Sequence, residues 1–131
     1  MGLELLSIAL GLCTFKAQCE GRIVFVHSDN KGAESAFARG SARCFDHRDI
    51  VHDMWLQAVV HNMSLWIVRV STHLNIADLP SRSDYSALAA ISATRCEPVL
   101  DEPYLAEAAW ALWKRKNALA VSSPGSQGCF S

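Results

Sequence analysis

The stretch Arg22-Ile23-Val24-Phe25-Val26-His27 decides the fold of this chain. It is rich in β-branched and aromatic residues, too short for a helix, and bounded by Gly21 and by Ser28-Asp29-Asn30, so it predicts a strand. A second run, Leu65-Trp66-Ile67-Val68-Arg69-Val70, is apolar on both faces apart from Arg69, which is typical of a strand covered on both sides of a sheet. Because helical patterns separate the two runs, we predict a parallel βαβ arrangement.

Helical spacing of apolar residues surrounds these strands. A first helix is predicted over residues 3–19, with Gly21 as a stop signal, and a short one over residues 31–39, ended by Gly40. A longer helix over residues 46–62 has an apolar face that includes Val59 and a polar face that carries Asp49 and Asp53. Further helices are predicted over residues 84–95 and 104–119, before a loose tail rich in Ser and Gly at residues 122–131.

The amino-acid composition excludes several classes of protein. The 131 residues suit one domain with a tail, and 50% hydrophobic against 19% charged residues excludes wholesale disorder. A net charge of -1 gives no bulk attraction to nucleic acid or membrane, so any polyanion site must be local. The uncharged residues 5–15 are too few to span a bilayer, and Glu4 ahead of them argues against a secretory signal. Five cysteines without a CxxC pair indicate reduced thiols of an intracellular protein, cytoplasmic or nuclear.

The predicted sheet is thin. Two parallel strands bury too little edge to be stable alone, since at least three are normally needed. We therefore expect that the chain pairs its strand edges with a partner, or that it is a piece of a larger domain whose first strands are missing.

Three carboxylates stand out by position. Asp29 follows the first strand and Asp78 follows the second, so both are expected at the carboxyl edge of the sheet, where open parallel sheets place their ligands. Glu4 shares a helical face with Ile8, Gly11 and Phe15. Converging carboxylates would suit Mg²⁺, but each also has an ordinary explanation: a first helical turn for Glu4, an N-cap for Asp29 and a turn for Asp78.

Several of these segments together resemble the ribonuclease H domain of reverse transcriptases from LTR-type retroelements. The resemblance covers residues 3–85, and its most specific part is the ending of the N-x-A-D-x-x-S-R type. The matching segments are Leu3-Glu4-Leu5-Leu6, Val26-His27-Ser28-Asp29-Asn30, Trp55, and residues 70–82 with Asn75-Ile76-Ala77-Asp78-Leu79-Pro80-Ser81-Arg82.

The resemblance implies an α/β architecture, a truncated ribonuclease H-like fold. Its order would be helix–strand–helices–strand–helix, with two parallel strands and the family's first three strands missing. Residues 1–85 would form this core, residues 86–121 a C-terminal helical extension, and residues 122–131 a flexible tail.

The resemblance also implies a chemistry. Glu4, Asp29 and Asp78 would take three of the family's four metal-binding positions, holding two Mg²⁺ or Mn²⁺ ions for hydrolysis of the RNA strand of RNA–DNA hybrids. The family's first Asp has no counterpart, so we expect weak or no activity in isolation unless an upstream reverse transcriptase segment supplies it. His73 would assist proton transfer or product release, or be a plain surface histidine.

Contacts to an RNA–DNA hybrid or other nucleic acid would come from local polar and basic groups. Solvated helix charges are the competing explanation. A non-catalytic nucleic-acid-binding or protein-interaction module on the same scaffold is the alternative function, with an exposed strand edge that could also join copies of the chain. The candidate contact residues are Asn30, Lys31, Arg39, Arg43, Arg48 and Arg82.

Overall fold

The computed structural model describes residues 2–99 and Lys114. The chain is a mixed α/β structure with two parallel strands and several helices. Three one-turn 3-10 helices follow the second strand, at Thr72–Leu74, Ile76–Asp78 and Pro80–Arg82. The remaining elements are α1 (Gly2–Thr14), α2 (Lys16–Cys19), β1 (Ile23–Ser28), α3 (Lys31–Arg39), α4 (Phe45–Val60), β2 (Ser64–Arg69) and α5 (Ser86–Ala90).

The two strands pair in parallel, as the sequence predicts. Their register runs from Ile23 opposite Ser64 to Ser28 opposite Arg69. Helices α3 and α4 form the crossover between them, because parallel strands need a long connection to return to the same end of the sheet. Both strands therefore end at the same edge, the carboxyl edge of the sheet.

The core lies between one face of this sheet and helices α1, α3 and α4. Leu5 of α1, Phe37 of α3, Ile50 of α4 and Leu65 of β2 are all buried in one continuous cluster. The ring of Trp55 lies 4.9 Å from that of Phe37, and its Nε1 donates a hydrogen bond to the Phe37 carbonyl oxygen at 3.0 Å. The long helix is thereby fixed to the short one by packing and by a directional bond.

Helix α3 has the bounds that the sequence predicts, because a capping residue lies at each of its ends. The Asn30 side-chain oxygen caps its first turn, accepting from the backbone N–H groups of Gly32 at 2.9 Å and Ala33 at 3.0 Å. Gly40 ends the helix with φ of +64°, a left-handed conformation that L side chains rarely adopt.

Three predictions about helices need correction. The predicted helix 3–19 is two helices, interrupted at Phe15. The predicted helix 84–95 is short, Ser86–Ala90, because Ser92 turns left-handed with φ of +54° and terminates it. Val59, predicted on the buried face of α4, is 77% exposed. The predicted helix 104–119 and tail 122–131 lie outside the described residues, apart from Lys114.

Two further findings bear on the environment of the chain. Within residues 2–99, no helix is both long enough and apolar enough to cross a membrane. The four cysteines in that part of the chain, Cys13, Cys19, Cys44 and Cys96, form no disulfide bond.

Candidate active site at the carboxyl edge of the sheet

An open cavity of about 370 Å³ lies at the carboxyl edge, where parallel sheets place their ligands. It brings together Glu4 and Asp78, which are far apart in the sequence. Helix α1 contributes one wall, the end of β1 the floor, and the 3-10 helices after β2 the opposite wall. The lining residues are Leu3, Glu4, Ser7, Ile8, His27, Ser28, Ala77, Asp78 and Ser81.

Glu4 lies beside the buried stripe of α1 and not within it. The residues of α1 that pack into the core include Leu5, Ala9 and Leu12, so the helix presents the half-buried Glu4 to the cavity. The amide nitrogen of Asn30 lies within 3.5 Å of Glu4 Oε2 and donates to it. Because capping of α3 fixes the oxygen of that amide, the Asn30 nitrogen makes its long contact with Glu4 from a rigid helix end.

Asp78 lines the cavity and also interacts with two neighbouring side chains. Arg82 Nη2 lies 2.8 Å from Asp78 Oδ2, one helical turn further along the chain. The hydroxyl of Ser81 donates to the Asp78 carbonyl oxygen at 2.6 Å and lies 3.4 Å from Oδ1. Arg82 was a candidate for contact with nucleic acid, but its guanidinium neutralises a candidate metal ligand instead.

Asp29 lies next to the cavity residues in sequence but does not line the cavity. The N-cap explanation for Asp29 is wrong, because Asn30 caps α3. Asp29 is half-buried, and within the described part of the chain its carboxylate makes no hydrogen bond or ion pair.

The three carboxylates offer the oxygen donors that Mg²⁺ prefers. The spatial grouping of these side chains is less favourable to a metal ion than the types of donor atom that they offer. Among the residues that the structure describes, no three or more His, Cys, Asp or Glu side chains form a group that could hold a metal ion. The cavity thus joins two of the three carboxylates, Glu4 and Asp78.

Two histidines lie near this edge of the sheet. His73, the candidate for proton transfer, lies on an exposed 3-10 turn with its Nε2 3.4 Å from the Ser71 hydroxyl, and it does not line the cavity. His27, which had no predicted role, does line it. Its position as the penultimate residue of a strand that ends at the ligand edge was the available signal.

A second depression, of about 360 Å³, gathers three of the predicted basic residues. Lys31 and Arg39 come from α3, and Arg43 comes from the loop that follows it. Arg48 lies elsewhere: its guanidinium carbon is 4.5 Å from the centre of the Phe45 ring, and its Nε is 4.0 Å from Asp49 Oδ1. Three of the four basic residues that the sequence groups together thus line one depression.

Comparisons of this chain with protein-family models, with curated proteins and with solved structures found no match.

Proposed function

We propose that this chain is part of a ribonuclease H-type nuclease from a retroelement, with a truncated ribonuclease H-like fold. Its reaction would be hydrolysis of the RNA strand of RNA–DNA hybrids. One observation carries the proposal: Glu4 and Asp78, two of the three carboxylates that the resemblance matches, line one cavity at the carboxyl edge of two parallel strands.

Glu4, Asp29 and Asp78 would hold Mg²⁺ or Mn²⁺ through their oxygens. Two such ions would activate the attacking water and stabilise the leaving oxygen. Asn30 would position Glu4 through the contact of 3.5 Å between its amide nitrogen and the carboxylate. The histidine that assists proton transfer or product release would be His73, at the place that the resemblance implies.

The nucleic acid would be held by its phosphates. Lys31 begins α3 directly after Asp29 and Asn30, so the depression with Arg39 and Arg43 lies on the helix that starts at the carboxyl edge. Contacts of cations with phosphate position a duplex without reading its sequence, which suits an enzyme that recognises the shape of a hybrid.

Activity of the chain by itself should be low. The family's first Asp, one of its four metal-binding carboxylates, has no counterpart in the sequence, and removal of one key stabilising group typically costs about 10²–10³-fold in rate. An upstream reverse transcriptase segment would be the natural partner. We further propose that the protein acts inside the cell, in keeping with its cysteines, which form no disulfide among the described residues.

The decisive experiment is cleavage of a labelled RNA–DNA hybrid in Mg²⁺ or Mn²⁺, with Asp78→Asn as the blank. We expect cleavage barely above the blank for the chain alone, and a clear increase when a three-stranded segment bearing the missing Asp is added in trans. No increase on addition would contradict the proposed reaction. Strong cleavage by the chain alone that disappears in Asp78→Asn would show that three carboxylates suffice.

Metal binding can be tested separately from cleavage. Asp29→Asn should weaken Mn²⁺ binding in a calorimetric titration, because it removes an oxygen ligand from the carboxyl edge. Asp49→Asn is the matched control, since Asp49 is an exposed residue on α4 that faces Arg48. Equal effects of the two substitutions would refute a metal site at this edge.

A non-catalytic nucleic-acid-binding or protein-interaction module is the second candidate, and the Asp78–Arg82 ion pair favours it because a paired carboxylate is a poorer metal ligand. Such a module would bind hybrid without cutting it. Binding would then survive Asp78→Asn but be weakened by Arg39→Glu, which reverses a charge in the basic depression.

The unpaired edge of β1 could also join copies of the chain. In the described residues β1 pairs with β2 alone, so its other edge presents free backbone groups. Light scattering should find association that grows with concentration. A stable monomer at high concentration would argue against pairing through this edge.

A further inference from the structure

A cavity of about 530 Å³, which we name the α5 cavity, lies against helix α5. It shares no lining residue with the cavity at the carboxyl edge or with the basic depression. Most of its lining residues lie between residues 88 and 96, beyond the part of the chain that the ribonuclease H resemblance covers. Its volume falls in the range of about 300–1,000 Å³ that is typical of sites for small molecules.

The turn that follows α5 forms one wall of the α5 cavity. Ser92 has φ of +54°, and its backbone N–H donates to the carbonyl oxygen of Ala89 at 3.0 Å. The N–H of Ala93 donates to the carbonyl oxygen of Leu88 at 2.9 Å. This pair of bonds is the Schellman motif, which ends a helix and turns the chain. Residues 93–96 therefore line the same cavity as the helix that precedes them.

The start of α5 is also fixed by local hydrogen bonds. Asp84 Oδ1 accepts from the backbone N–H of Ser86 at 3.0 Å and from its hydroxyl at 2.6 Å. Tyr85, between these two residues, lines the cavity, and so does Pro80 at the start of the preceding 3-10 helix. Because hydrogen bonds within the chain hold both ends of α5, a ligand would pay little for ordering the walls.

The lining combines apolar walls with a few polar groups, which is the composition typical of small-molecule sites. The apolar lining residues are Pro80, Leu88, Ala89 and Ala93. The polar ones supply two hydroxyls, a guanidinium and a thiol, from Tyr85, Thr94, Arg95 and Cys96.

Arg95 determines the charge of a suitable ligand. Among the described residues that line the α5 cavity, only Arg95 is cationic and none is a carboxylate. Within the described part of the chain its guanidinium forms no hydrogen bond or ion pair. A guanidinium can bind a carboxylate through two parallel hydrogen bonds, and its charge matches that of one carboxylate. A phosphate monoester carries about −1.5 to −2 charges, which one cation would not balance.

We propose that the α5 cavity binds a small carboxylic acid, with the carboxylate on Arg95 and the apolar body against Leu88 and Pro80. The hydroxyls of Tyr85 and Thr94 are further donors for the carboxylate oxygens. This binding site is independent of the proposed nuclease activity, because the two cavities have no lining residue in common.

Cys96 lines the α5 cavity and gives a local readout of its occupancy. Mass spectrometry of the folded full chain measures the rate at which iodoacetamide alkylates Cys96, with phenylbutyrate as the acid and phenylbutanamide as its neutral counterpart. Phenylbutyrate should slow this alkylation in a saturable way. The neutral amide should need about fivefold higher concentration, since an exposed ion pair contributes up to about that factor. Cys19 on α2 is the reference thiol, because it does not line the cavity.

Two arginine variants test the assignment of the carboxylate. Arg95→Gln removes the charge but keeps a long polar side chain, so it should weaken protection by phenylbutyrate about fivefold and leave protection by the amide unchanged. Arg22→Gln is the matched control, since Arg22 is an exposed arginine outside the cavity, and it should change neither. Both are surface substitutions of little consequence for stability.

A third variant tests the apolar wall. Leu88→Ala should weaken protection by the acid and by the amide alike, because both lose the same apolar contact. Three results would overturn the proposal. They are equal effects of phenylbutyrate on Cys96 and Cys19, unchanged protection by the acid in Arg95→Gln, and stronger protection of Cys96 by a peptide with a free C-terminal carboxylate. The last result would assign the cavity to the end of a protein chain instead of a small acid.

Discussion

Asn30→Ala is the substitution that most sharply tests how the carboxyl edge is built. Asn30 was a candidate for contact with nucleic acid, but in the structure its side chain has two structural roles. Its oxygen accepts hydrogen bonds from the backbone N–H groups of Gly32 and Ala33, and its nitrogen donates to Glu4. Removal of the side chain should therefore destabilise the fold and release Glu4 at the same time.

The size of the effect follows from these contacts. Loss of an N-cap costs about 0.5–2 kcal/mol of unfolding free energy. Two backbone donors at 2.9 and 3.0 Å lose their acceptor in a partly buried helix end, so we expect a loss of about 1.5 kcal/mol. The contact of 3.5 Å with Glu4 is too long to add much. For a domain of about 100 residues the midpoint of thermal unfolding should fall by roughly 6 °C.

Two further variants separate the roles of Asn30. Asn30→Ser keeps an oxygen that can cap α3, so its stability should stay within about 0.5 kcal/mol of the unmodified protein, although the donor to Glu4 is lost. Asn75→Ala removes an equivalent cap from a different place: the Asn75 oxygen accepts from Ala77 N–H at 3.2 Å at the start of an exposed 3-10 turn. It should cost less than about 0.5 kcal/mol.

Urea denaturation followed by circular dichroism measures all three variants. The capping role of Asn30 is refuted if Asn30→Ala is as stable as the unmodified protein, or if Asn75→Ala costs as much as Asn30→Ala. It is also refuted if Asn30→Ser is as unstable as Asn30→Ala, since capping would then not explain the loss.

Three other predictions concern the core, the site and pH. Phe37→Ala should cost about 3–5 kcal/mol in urea denaturation, because it empties a fully buried position against a packed ring. Arg82→Ala should strengthen Mn²⁺ binding up to about fivefold in calorimetry, because it frees Asp78 from an ion pair that exposure keeps weak; unchanged or weaker binding would contradict this. Hydrogen bonds from the side chain and backbone of Ser86 lower the pKa of Asp84 below its ordinary value of 3.8. A carboxyl with a lowered pKa stabilises the fold above its ordinary value and loses that effect as pH falls through the lowered one, so protection of the Ser86 amide should persist at about pH 5 and fall only below about pH 4.

The sequence predicts well those features that depend on residues close together in the chain. Both strands, their parallel direction and the bounds of α3 follow from short runs of β-branched residues and from the signals at Asn30 and Gly40. The interruption of the first helix at Phe15 and the early end of α5 escape prediction because single backbone angles decide them, such as the left-handed φ at Ser92. Periodicity cannot detect such a turn.

The features that the sequence misses depend on contacts between distant or competing groups. An apolar residue such as Val59 fits the periodic pattern, but only the packing of α1 and α3 determines which part of α4 is buried. The charge of Arg82 is typical of a phosphate contact, but the sequence alone does not show that its guanidinium also pairs with Asp78 at 2.8 Å. The sequence offers Asn30 as a contact for a substrate. In the structure its side-chain oxygen accepts hydrogen bonds from two backbone N–H groups at the start of α3, which have no partner within the helix.

In the proposed metal site, the charge at the carboxyl edge would set how many ions bind, which gives the last prediction. Two divalent ions about 4 Å apart repel each other by roughly 16 kcal/mol at an effective dielectric constant of about 20, since a pair of unit charges there repels by about 4 kcal/mol. Glu4, Asp29 and Asp78 supply three negative charges, and Arg82 offsets one of them at 2.8 Å from Asp78. The remaining two charges balance one divalent ion. A calorimetric titration with Mn²⁺ should therefore give a stoichiometry near one ion per chain, and the second ion should bind only when hybrid phosphates or a further carboxylate are present. A stoichiometry of two for the chain alone would show that Arg82 does not offset the charge of Asp78 when metal binds, and that three carboxylates can hold both ions.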